Sequence, residues 1–265
     1  MNITVFTSNQ PRHINLINSL SKIADTVYAI QECNTIFPGQ IDDFFRKTPI
    51  MQEYFSYVIK SEINVFGSVE FTRNNVKTLS IKSGDLNKID LSILTDALDS
   101  DYYIVFGSSY IKGDLIKFLV NHNAYNIHMG ISPYYRGSSC NFWALYDGMP
   151  KYVGATIHML SKGLDSGDML YHVLPKVREY EPFDLGMEAV KAAHESLVYM
   201  IETKNINKYQ PIKQDNSLEI RYTRNADFTD DVAKKYLQSM LTPQQIFAKL
   251  EKRDLSKFLH PYIPR

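Results

Sequence analysis

Residues 1–30 change twice between two kinds of hydrophobic pattern, and this restricts the fold more than any other feature of the sequence. Asn2–Thr7 is a short β-rich run, apolar residues at helical spacing begin near Pro11, and a second β-rich run covers 26–30. A β-α-β start is typical of a parallel sheet with crossover helices. The sequence therefore predicts an α/β fold: a Rossmann-like, mostly parallel sheet with helices on both faces.

The rest of the chain continues this pattern up to about residue 204. Further strands are predicted at 76–81, 101–107, 125–128, 153–160 and 169–177. Helices are predicted at 91–98, 113–120, 141–146 and 183–203, and the aromatic-rich stretch 34–75 is expected to be mainly helical. From residue 205 the sequence predicts only Lys- and Asn-rich connections, a strand at 218–223 and two short amphipathic helices. We therefore expect a domain of residues 1–204 and a small C-terminal extension of residues 205–265.

The aromatic-rich stretch 34–75 has two interpretations. Phe44, Phe45, Tyr54 and Tyr57 are typical of an amphipathic helix that packs on the sheet. The alternative is that some of these rings line a substrate pocket.

Composition and charge argue against several classes of protein. The 29 basic and 29 acidic residues give a net charge of zero, which does not favour binding to nucleic acid. No apolar run reaches the length of a membrane span, and a strand from residue 2 leaves no room for a signal peptide, so a cytoplasmic protein is expected. Cys33 and Cys140 have no metal-ligand spacing and are expected to be buried or idle thiols. The glycine-free turn 8–13 argues against a nicotinamide cofactor.

Three polar side chains stand near the ends of strand-like runs. Asn126 and His128 end the run 125–128, and Asp165 lies in a turn after the run 153–160. Residues i and i+2 of a strand point to the same side, so Asn126 and His128 are predicted to face one pocket. Open α/β folds place their sites at the carboxyl edge of the sheet, where these residues are expected. The three residues are therefore our candidate catalytic group.

These residue types suit the transfer of an acyl group to an amine. Asn126 could donate to the oxyanion, His128 could transfer protons near neutral pH, and Asp165 could raise the imidazole pKa and orient the ring. Alone, they are also compatible with a hydrogen-bonded strand-end histidine and an ordinary turn aspartate. His158 is expected to be a core histidine, with contact to the site as the alternative, and Asp168 is expected to cap its turn.

The order of these motifs resembles the 10-formyltetrahydrofolate-dependent formyltransferases, over roughly residues 1–200. The family pattern is an Asn-x-His, a Leu-Pro-x-Tyr-Arg-Gly-like loop and a Leu-Asp-x-Gly turn. The matching positions are Asn126, His128, Pro133, Tyr135, Arg136, Gly137, Leu164, Asp165 and Gly167. The sequence departs from the family pattern at Met129-Gly130, where many relatives have Pro-Ser. The resemblance implies that Asn126, His128 and Asp165 are catalytic and that no metal is needed.

The resemblance also implies a folate co-substrate, 10-formyltetrahydrofolate, and where it binds. In the family the pterin lies in a pocket built largely of backbone, after the strand that precedes Asn-x-His, and the aspartate loop completes it. The implied positions are Phe106, Gly107, Ser109, Tyr110, Ile111, Lys112, Gly163 and Leu164. Phe106 and Ile111 are equally compatible with core packing.

The candidates for binding the amine acceptor are Asn9, Arg12, His13, Tyr135 and Arg136. Arg12 and His13 could meet a pyrophosphate near a helix N-terminus, or could belong to a solvated helix start. For Arg136, holding its own loop in place is the alternative.

Within the family, the sequence looks most like the nucleotide-sugar N-formyltransferases. It lacks space after residue 205 for the β-barrel of methionyl-tRNA formyltransferases, and turn 8–13 lacks the Gly-rich phosphate turn of glycinamide ribonucleotide enzymes. The implied acceptor is a nucleotide-linked 4-amino-4,6-dideoxy sugar such as GDP-perosamine, used in O-antigen or other surface polysaccharides. Alternatives are a formyltetrahydrofolate hydrolase and a non-catalytic nucleotide- or folate-binding protein. The C-terminal extension is a candidate homodimer surface.

Overall fold

The fold is an α/β arrangement in a computed structural model that describes residues 1–41 and 48–264. The strands are β1 (Asn2–Thr7), β2 (Thr26–Cys33), β3 (Val76–Lys82), β4 (Tyr102–Val105), β5 (Tyr125–His128), β6 (Tyr135–Gly137), β7 (Ala155–Met159), β8 (Met169–Val173) and β9 (Arg221–Thr223). The helices are α1 (Pro11–Leu20), α2 (Pro49–Phe66), α3 (Gly113–Asn121), α4 (Cys140–Tyr146), α5 (Pro182–Glu202), α6 (Asp230–Gln238) and α7 (Pro243–Glu251). Phe44 and Phe45 of the predicted aromatic segment lie outside the described residues.

The main sheet has the strand order β3-β2-β1-β4-β5-β7-β8. Strands β3, β2, β1, β4 and β5 are parallel, whereas β7 is antiparallel to β5 and β8 is antiparallel to β7. The prediction of a mostly parallel, Rossmann-like sheet is confirmed. The direction in which strands are added reverses between β1 and β4, and ligand crevices of open α/β sheets form beyond the carboxyl ends of strands at such a point.

Helices cover both faces of the sheet, as predicted. Ile3 and Val5 of β1 pack with α1 and α5 on one face, while Phe6, the next residue along, packs with α3 on the other. This alternation is the period of two expected for a strand that is buried on both sides. None of the helices in the described ranges is long and apolar enough to cross a lipid bilayer.

The C-terminal extension packs against the rest of the chain. Helices α6 and α7 share a hydrophobic cluster with α2 and α4, which includes the rings of Tyr54, Trp143 and Tyr236. Two more C-terminal segments cover the free edge of β8, where Ile212 pairs with Met169 and Tyr262 with Val173. An uncovered edge strand would be open to pairing with other chains, so these contacts protect the sheet. The boundary at residue 204 stays a prediction.

One predicted helix is wrong, and four strands are shorter than the predicted ranges 101–107, 153–160, 169–177 and 218–223. Stretch 91–98 forms a 3-10 turn at Leu91–Leu94 rather than a helix, because short polar side chains bond to the local backbone. Asp90 accepts from Ser92 N and Thr95 donates to Ser92 O. The strand predicted at 169–177 ends at Val173, ahead of Pro175, which has no N–H to donate to a ladder.

Candidate active site

The structure brings Asn126, His128 and Asp165 together at the carboxyl end of β5. Asn126 and His128 are buried at the end of that strand, and Asp165 reaches them from the loop between β7 and β8. His128 Nδ1 lies 3.4 Å from Asp165 Oδ2, and Asn126 Nδ2 donates to Asp165 Oδ1 over 3.1 Å. Both strand residues face one cavity, as their spacing predicted.

The Asp165 loop is held in an unusual backbone conformation. Asp165 has φ of +45°, in the left-handed region that side chains other than those of Gly, Asn and Asp rarely adopt. Gln214 of the C-terminal extension donates to the carbonyls of both Asp165 (2.8 Å) and Gly167 (3.0 Å). A side chain at Gly167 would collide with Met159 O. The extension therefore contributes to the geometry of the site although it lies far away in sequence.

Hydrogen-bond partners determine the protonation of His128. Its Nδ1 faces the Asp165 carboxylate, and its Nε2 lies 3.5 Å from Cys140 Sγ, whose own hydrogen points at Gly137 O. The carboxylate at Nδ1 and the sulfur at Nε2 both favour the protonated form of the ring. Burial opposes the charge, but the Asp165 carboxylate and the Cys140 thiol raise the pKa of His128 well above its usual value.

Asp165 carries the matching negative charge. Burial disfavours the carboxylate, but His128 beside it outweighs burial and lowers the pKa of Asp165 to about 2. Near neutral pH the two side chains therefore form an ion pair that is largely shielded from solvent.

His158 belongs to the site as well as to the core. The antiparallel pairing of β5 with β7 sets it opposite Asn126, whose Nδ2 lies 3.0 Å from His158 Nε2. His158 Nδ1 donates to Met159 O, so Nε2 is an acceptor and the ring is neutral; burial lowers its pKa to about 4. The expectation of a core histidine accounts for its burial but not for this contact. The register of β7 against β5 is the signal that would have revealed it.

A cavity of about 240 Å³ opens beside the three candidate catalytic residues. Its walls are the loop after β4 and the loop before Asp165, and Tyr110 joins the two by donating from its hydroxyl to Lys162 O. The predicted folate-site residues that line it are Phe106, Gly107, Ser109, Tyr110, Ile111, Gly163 and Leu164. Gly107 has φ of +66°, and a Cβ there would lie 2.5 Å from His13 Cε1, so glycine is required.

Lys112 does not line the cavity in the described part of the chain. Its backbone N–H donates to Asn87 Oδ1 and its ammonium lies over the Tyr110 ring. The prediction that Lys112 contacts folate therefore gains no support from its position.

Glu32, a residue the sequence reasoning missed, holds the loop after β4 in place. Its buried carboxylate accepts from Ser109 N (2.6 Å), Ser109 Oγ (2.8 Å) and Gly84 N (2.8 Å). It comes from the end of β2, two strands away from β4 in the sheet. No local motif marks it, because its partners are distant in sequence.

We expect Glu32→Gln to weaken binding at this cavity. The substitution turns an N–H₂ toward a backbone or hydroxyl donor and leaves a buried group unpaired, a loss of about 1–3 kcal/mol. In a tetrahydrofolate titration by calorimetry, Kd should rise, with a lower Tm. Glu53→Gln, on the exposed side of α2, is the matched control and should change neither quantity. An unaltered Kd in Glu32→Gln would contradict this role.

A second, larger cavity of about 760 Å³ adjoins the first. It lies over the point where the sheet order reverses, between the turn after β1, the loop after β4, and helices α2, α4 and α5. Residues 106–110, His128 and Met129 line both cavities. His128 is thus placed where two bound molecules could meet.

Two of the predicted acceptor-binding residues line the second cavity. Arg12 is half-buried and its Nη1 pairs with Glu62 at 2.8 Å. His13 is buried against Thr7 Oγ1 (2.7 Å) and Phe106, and burial lowers its pKa well below the usual value. Its ring is therefore neutral, which disfavours a role as a cationic phosphate ligand. Asn9 is not among the lining residues; it exchanges two hydrogen bonds with the backbone of Asn34.

Tyr135 and Arg136 do not line either cavity. The Tyr135 ring is fully buried and its hydroxyl donates to Asp147 Oδ2, which also pairs with Arg221. Arg136 pairs with Glu219 at 2.9 Å. Both side chains hold the loop after β5 against the C-terminal extension, and the prediction that they bind acceptor gains no support. Among residues 1–41 and 48–264, no group of three or more His, Cys, Asp or Glu side chains could hold a metal ion.

The family of this chain follows from its sequence match. The family model described as formyl transferase matches residues 69–201, half of the chain, and that range contains the three candidate catalytic residues and the loop after β4. The chain belongs to the formyltransferase family. A relative within it is the methionyl-tRNA formyltransferase of Thermotoga neapolitana, 25% identical over 184 residues. The match covers 62% of this chain and 58% of that protein, less than two thirds of its length.

Solved structures of formyltransferases share the fold of this family member over most of its length. The 4-N formyltransferase from Francisella tularensis has a TM-score of 0.52 and 19% identity, and the match covers 94% of this chain and 87% of that one. The N-formyltransferase from Helicobacter canadensis, in complex with folinic acid and dTDP-3-aminofucose, has a TM-score of 0.52 and 14% identity. That match covers 99% of this chain and 83% of the other. At these identities the likeness shows the fold alone.

Proposed function

We propose that this chain is an N-formyltransferase that moves the formyl group of 10-formyltetrahydrofolate to the amine of a nucleotide-linked sugar. The observation that carries the proposal is the position of His128, which lines both cavities and lies beside the Asp165 carboxylate that raises its pKa. A group that transfers protons between two substrates must be within reach of both. Family membership supports the reaction class.

The smaller cavity suits the folate. Apolar side chains of Val105, Ile116 and Leu160 provide walls for a flat ring, and two loops contribute peptide groups at its rim. Exposed peptide groups are good partners for a heterocycle with donors and acceptors on its edge. The complex of the Helicobacter canadensis enzyme with folinic acid, on the same fold, supports the same conclusion.

The charge state of His128 suggests its role in the reaction. When bound, the co-substrate supplies a formyl carbon that an amine attacks, and the formyl oxygen takes up negative charge. Nε2–H of His128 donates to that oxygen and then gives its proton to the departing nitrogen. The neutral imidazole then accepts the proton lost by the acceptor amine, so the ring regains its charge. Asp165 remains a carboxylate and orients the ring through Nδ1–H.

Asn126 enters this scheme with both of its amide hydrogens engaged. One bonds to Asp165 and the other to His158. To donate to the formyl oxygen, Nδ2 must exchange one of these bonds. We propose that the bond to the neutral His158 is exchanged, because a hydrogen bond to a carboxylate is the stronger of the two.

The larger cavity suits a nucleotide-linked sugar. Tyr54, Phe142, Phe183 and Tyr236 pack edge to face on one side, and Ser8, Ser139 and Asn141 supply polar groups. Its volume lies within the usual range of about 300–1,000 Å³ for ligand sites. The Helicobacter canadensis structure, a complex with dTDP-3-aminofucose, covers 99% of this chain and therefore includes the C-terminal extension. These observations favour a small acceptor over a macromolecule.

The finer proposal is a 4-amino-4,6-dideoxy sugar such as GDP-perosamine, formylated for a surface polysaccharide. It rests on the loop at 128–137 and on the 4-N formyltransferase among the similar structures. A second candidate acceptor is methionyl-tRNA, because the relative from Thermotoga neapolitana is named a methionyl-tRNA formyltransferase. Zero net charge disfavours it, since tRNA binding draws on clustered basic residues.

A panel of acceptors tests the proposal. The protein is incubated with 10-formyltetrahydrofolate and GDP-, dTDP- or UDP-linked amino sugars, with methionyl-tRNA in a parallel arm, and product masses are recorded. We expect one formyl group on one sugar nucleotide. Formylation of methionyl-tRNA alone would overturn the sugar assignment. Release of tetrahydrofolate without any acceptor would instead identify a hydrolase.

A further inference from the structure

A buried thiol contacts the atom of His128 that faces the substrates. Cys140, the first residue of α4, is 1% exposed, and its Sγ lies 3.5 Å from His128 Nε2. The same sulfur lies 3.3 Å from Gly137 O, to which it donates its hydrogen. The sulfur lone pairs therefore remain available to accept Nε2–H.

Gly130 provides the space for this contact. A Cβ at position 130 would collide with Cys140 Cβ, approach Cys140 Sγ to 3.0 Å and lie 2.8 Å from His128 Nε2. Any larger residue at 130 would therefore push the thiol and the imidazole apart. The departure at Met129-Gly130 and the cysteine at 140 are thus parts of one arrangement around the ring.

We infer that Cys140 is a positioning residue of the proposed formyl transfer, holding Nε2–H of His128 at the junction of the two cavities until substrate replaces the sulfur. Asp165 holds the other ring nitrogen, so the two contacts together define the plane of the imidazole. A thiol is a weak acceptor, and a formyl oxygen can displace it at low cost. The expected effect on the rate of formyl transfer rests on the proposed function. The contact between Cys140 and His128 does not, and it is tested separately.

Three variants test the inference: Cys140→Ala, Cys140→Ser and, as the matched control, Cys33→Ala. Cys33 lies at the end of β2 and its thiol contacts only Gln31 O among the described bonds. Each variant is checked for folding by circular dichroism and Tm. Formyl transfer is measured as kcat and KM across pH, and the His128 ring is titrated by NMR in ¹⁵N-histidine-labelled protein without substrate. The charged and titratable groups around His128 in this assay are Asp165, Cys140 and the neutral His158.

We expect Cys140→Ala to lower kcat by about 10- to 100-fold with little change in KM, because a misplaced reacting group costs rate rather than binding. The His128 titration should move to lower pH, since the thiol helps to raise its pKa. Cys140→Ser keeps an acceptor and should restore both quantities. Cys33→Ala should match the unaltered protein.

Other results would overturn the inference. An unchanged His128 titration in Cys140→Ala means that the thiol only fills space, whatever the rate. If both variants are folded and Cys140→Ser loses as much activity as Cys140→Ala, the thiol likewise only fills space. If the unaltered protein formylates no acceptor, the proposed function fails, and the NMR titration still decides whether Cys140 and His128 are coupled.

Discussion

Replacing His128 with alanine is expected to lower kcat for formyl transfer by about 10²- to 10⁴-fold, the usual contribution of a positioned proton-transfer group. The other residues that line both cavities are 106–110 and Met129, and none of them carries an imidazole, a carboxylate or an amine that would replace His128 near neutral pH. Tetrahydrofolate should still bind, because the smaller cavity is built mainly from the loops on either side of the ring. Initial rates and calorimetric titration measure the two effects separately.

The matched control for this experiment is His122→Ala. His122 is exposed at the end of α3, where it stacks on Phe118, and it should affect neither rate nor binding. Turnover of His128→Ala at the unaltered rate would remove His128 from the mechanism. Loss of tetrahydrofolate binding together with turnover would instead assign His128 a role in holding the folate.

The sheet and the shared face of Asn126 and His128 could be predicted because each follows from a local rule. Alternation of strand and helix patterns gives a parallel sheet, and residues i and i+2 of a strand share a face. The approach of Asp165 does not follow from such a rule. Strand β7 is antiparallel to β5, so its carboxyl end lies beside Tyr125 at the amino end of β5, and the loop after β7 must fold back to reach His128. Predicting that contact requires knowledge of how distant segments pack, whereas the first two inferences do not.

Cys140, Glu32 and Gln214 could not be predicted for the opposite reason. Each contacts the site through a partner that is remote in sequence or in an irregular loop, and none lies in a recognisable motif. A pattern predicts that a cysteine is buried, but not which ring it will contact. For the same reason, the sequence could not show that Tyr135 and Arg136 point away from both cavities, because their orientation depends on Asp147 and Glu219.

Asp165→Asn should separate the charge of the site from its shape. Asparagine is among the few residues that adopt left-handed backbone conformations readily, so the turn at φ of +45° should persist. The bond from Asn126 Nδ2 can also persist, because the amide retains one oxygen acceptor. What is lost is the negative charge beside His128 Nδ1. Burial then dominates, and the pKa of His128 should fall because the adjacent carboxylate no longer stabilises the charged ring.

The lower pKa of His128 in Asp165→Asn has a predictable effect on both kcat and the pH dependence of stability. At neutral pH a smaller fraction of the His128 ring is protonated in the variant, so kcat should fall by about 10²-fold, with partial recovery at lower pH as the ring regains its proton. In the unaltered protein, the pKa of His128 is raised above its usual value of 6.5. The resulting stabilisation of the fold is fully present below pH 6.5 and is lost as the pH rises through the raised pKa. The pKa of Asp165 is lowered from its usual value of 3.8 to about 2. The resulting stabilisation of the fold is fully present above pH 3.8 and is lost as the pH falls toward about 2.

Between those limits the ion pair stabilises the unaltered protein, and Asp165→Asn should therefore have a Tm that depends less on pH. Asp168→Asn, in the same turn but outside the pair, is the matched control and should keep the pH profiles of both kcat and Tm. Thermal unfolding and initial rates measured over the same pH series test the two expectations together. If Asp165→Asn kept the unaltered pH profile of kcat, the charge of His128 would not depend on Asp165, and the proton path proposed through Nε2 would lose its physical basis.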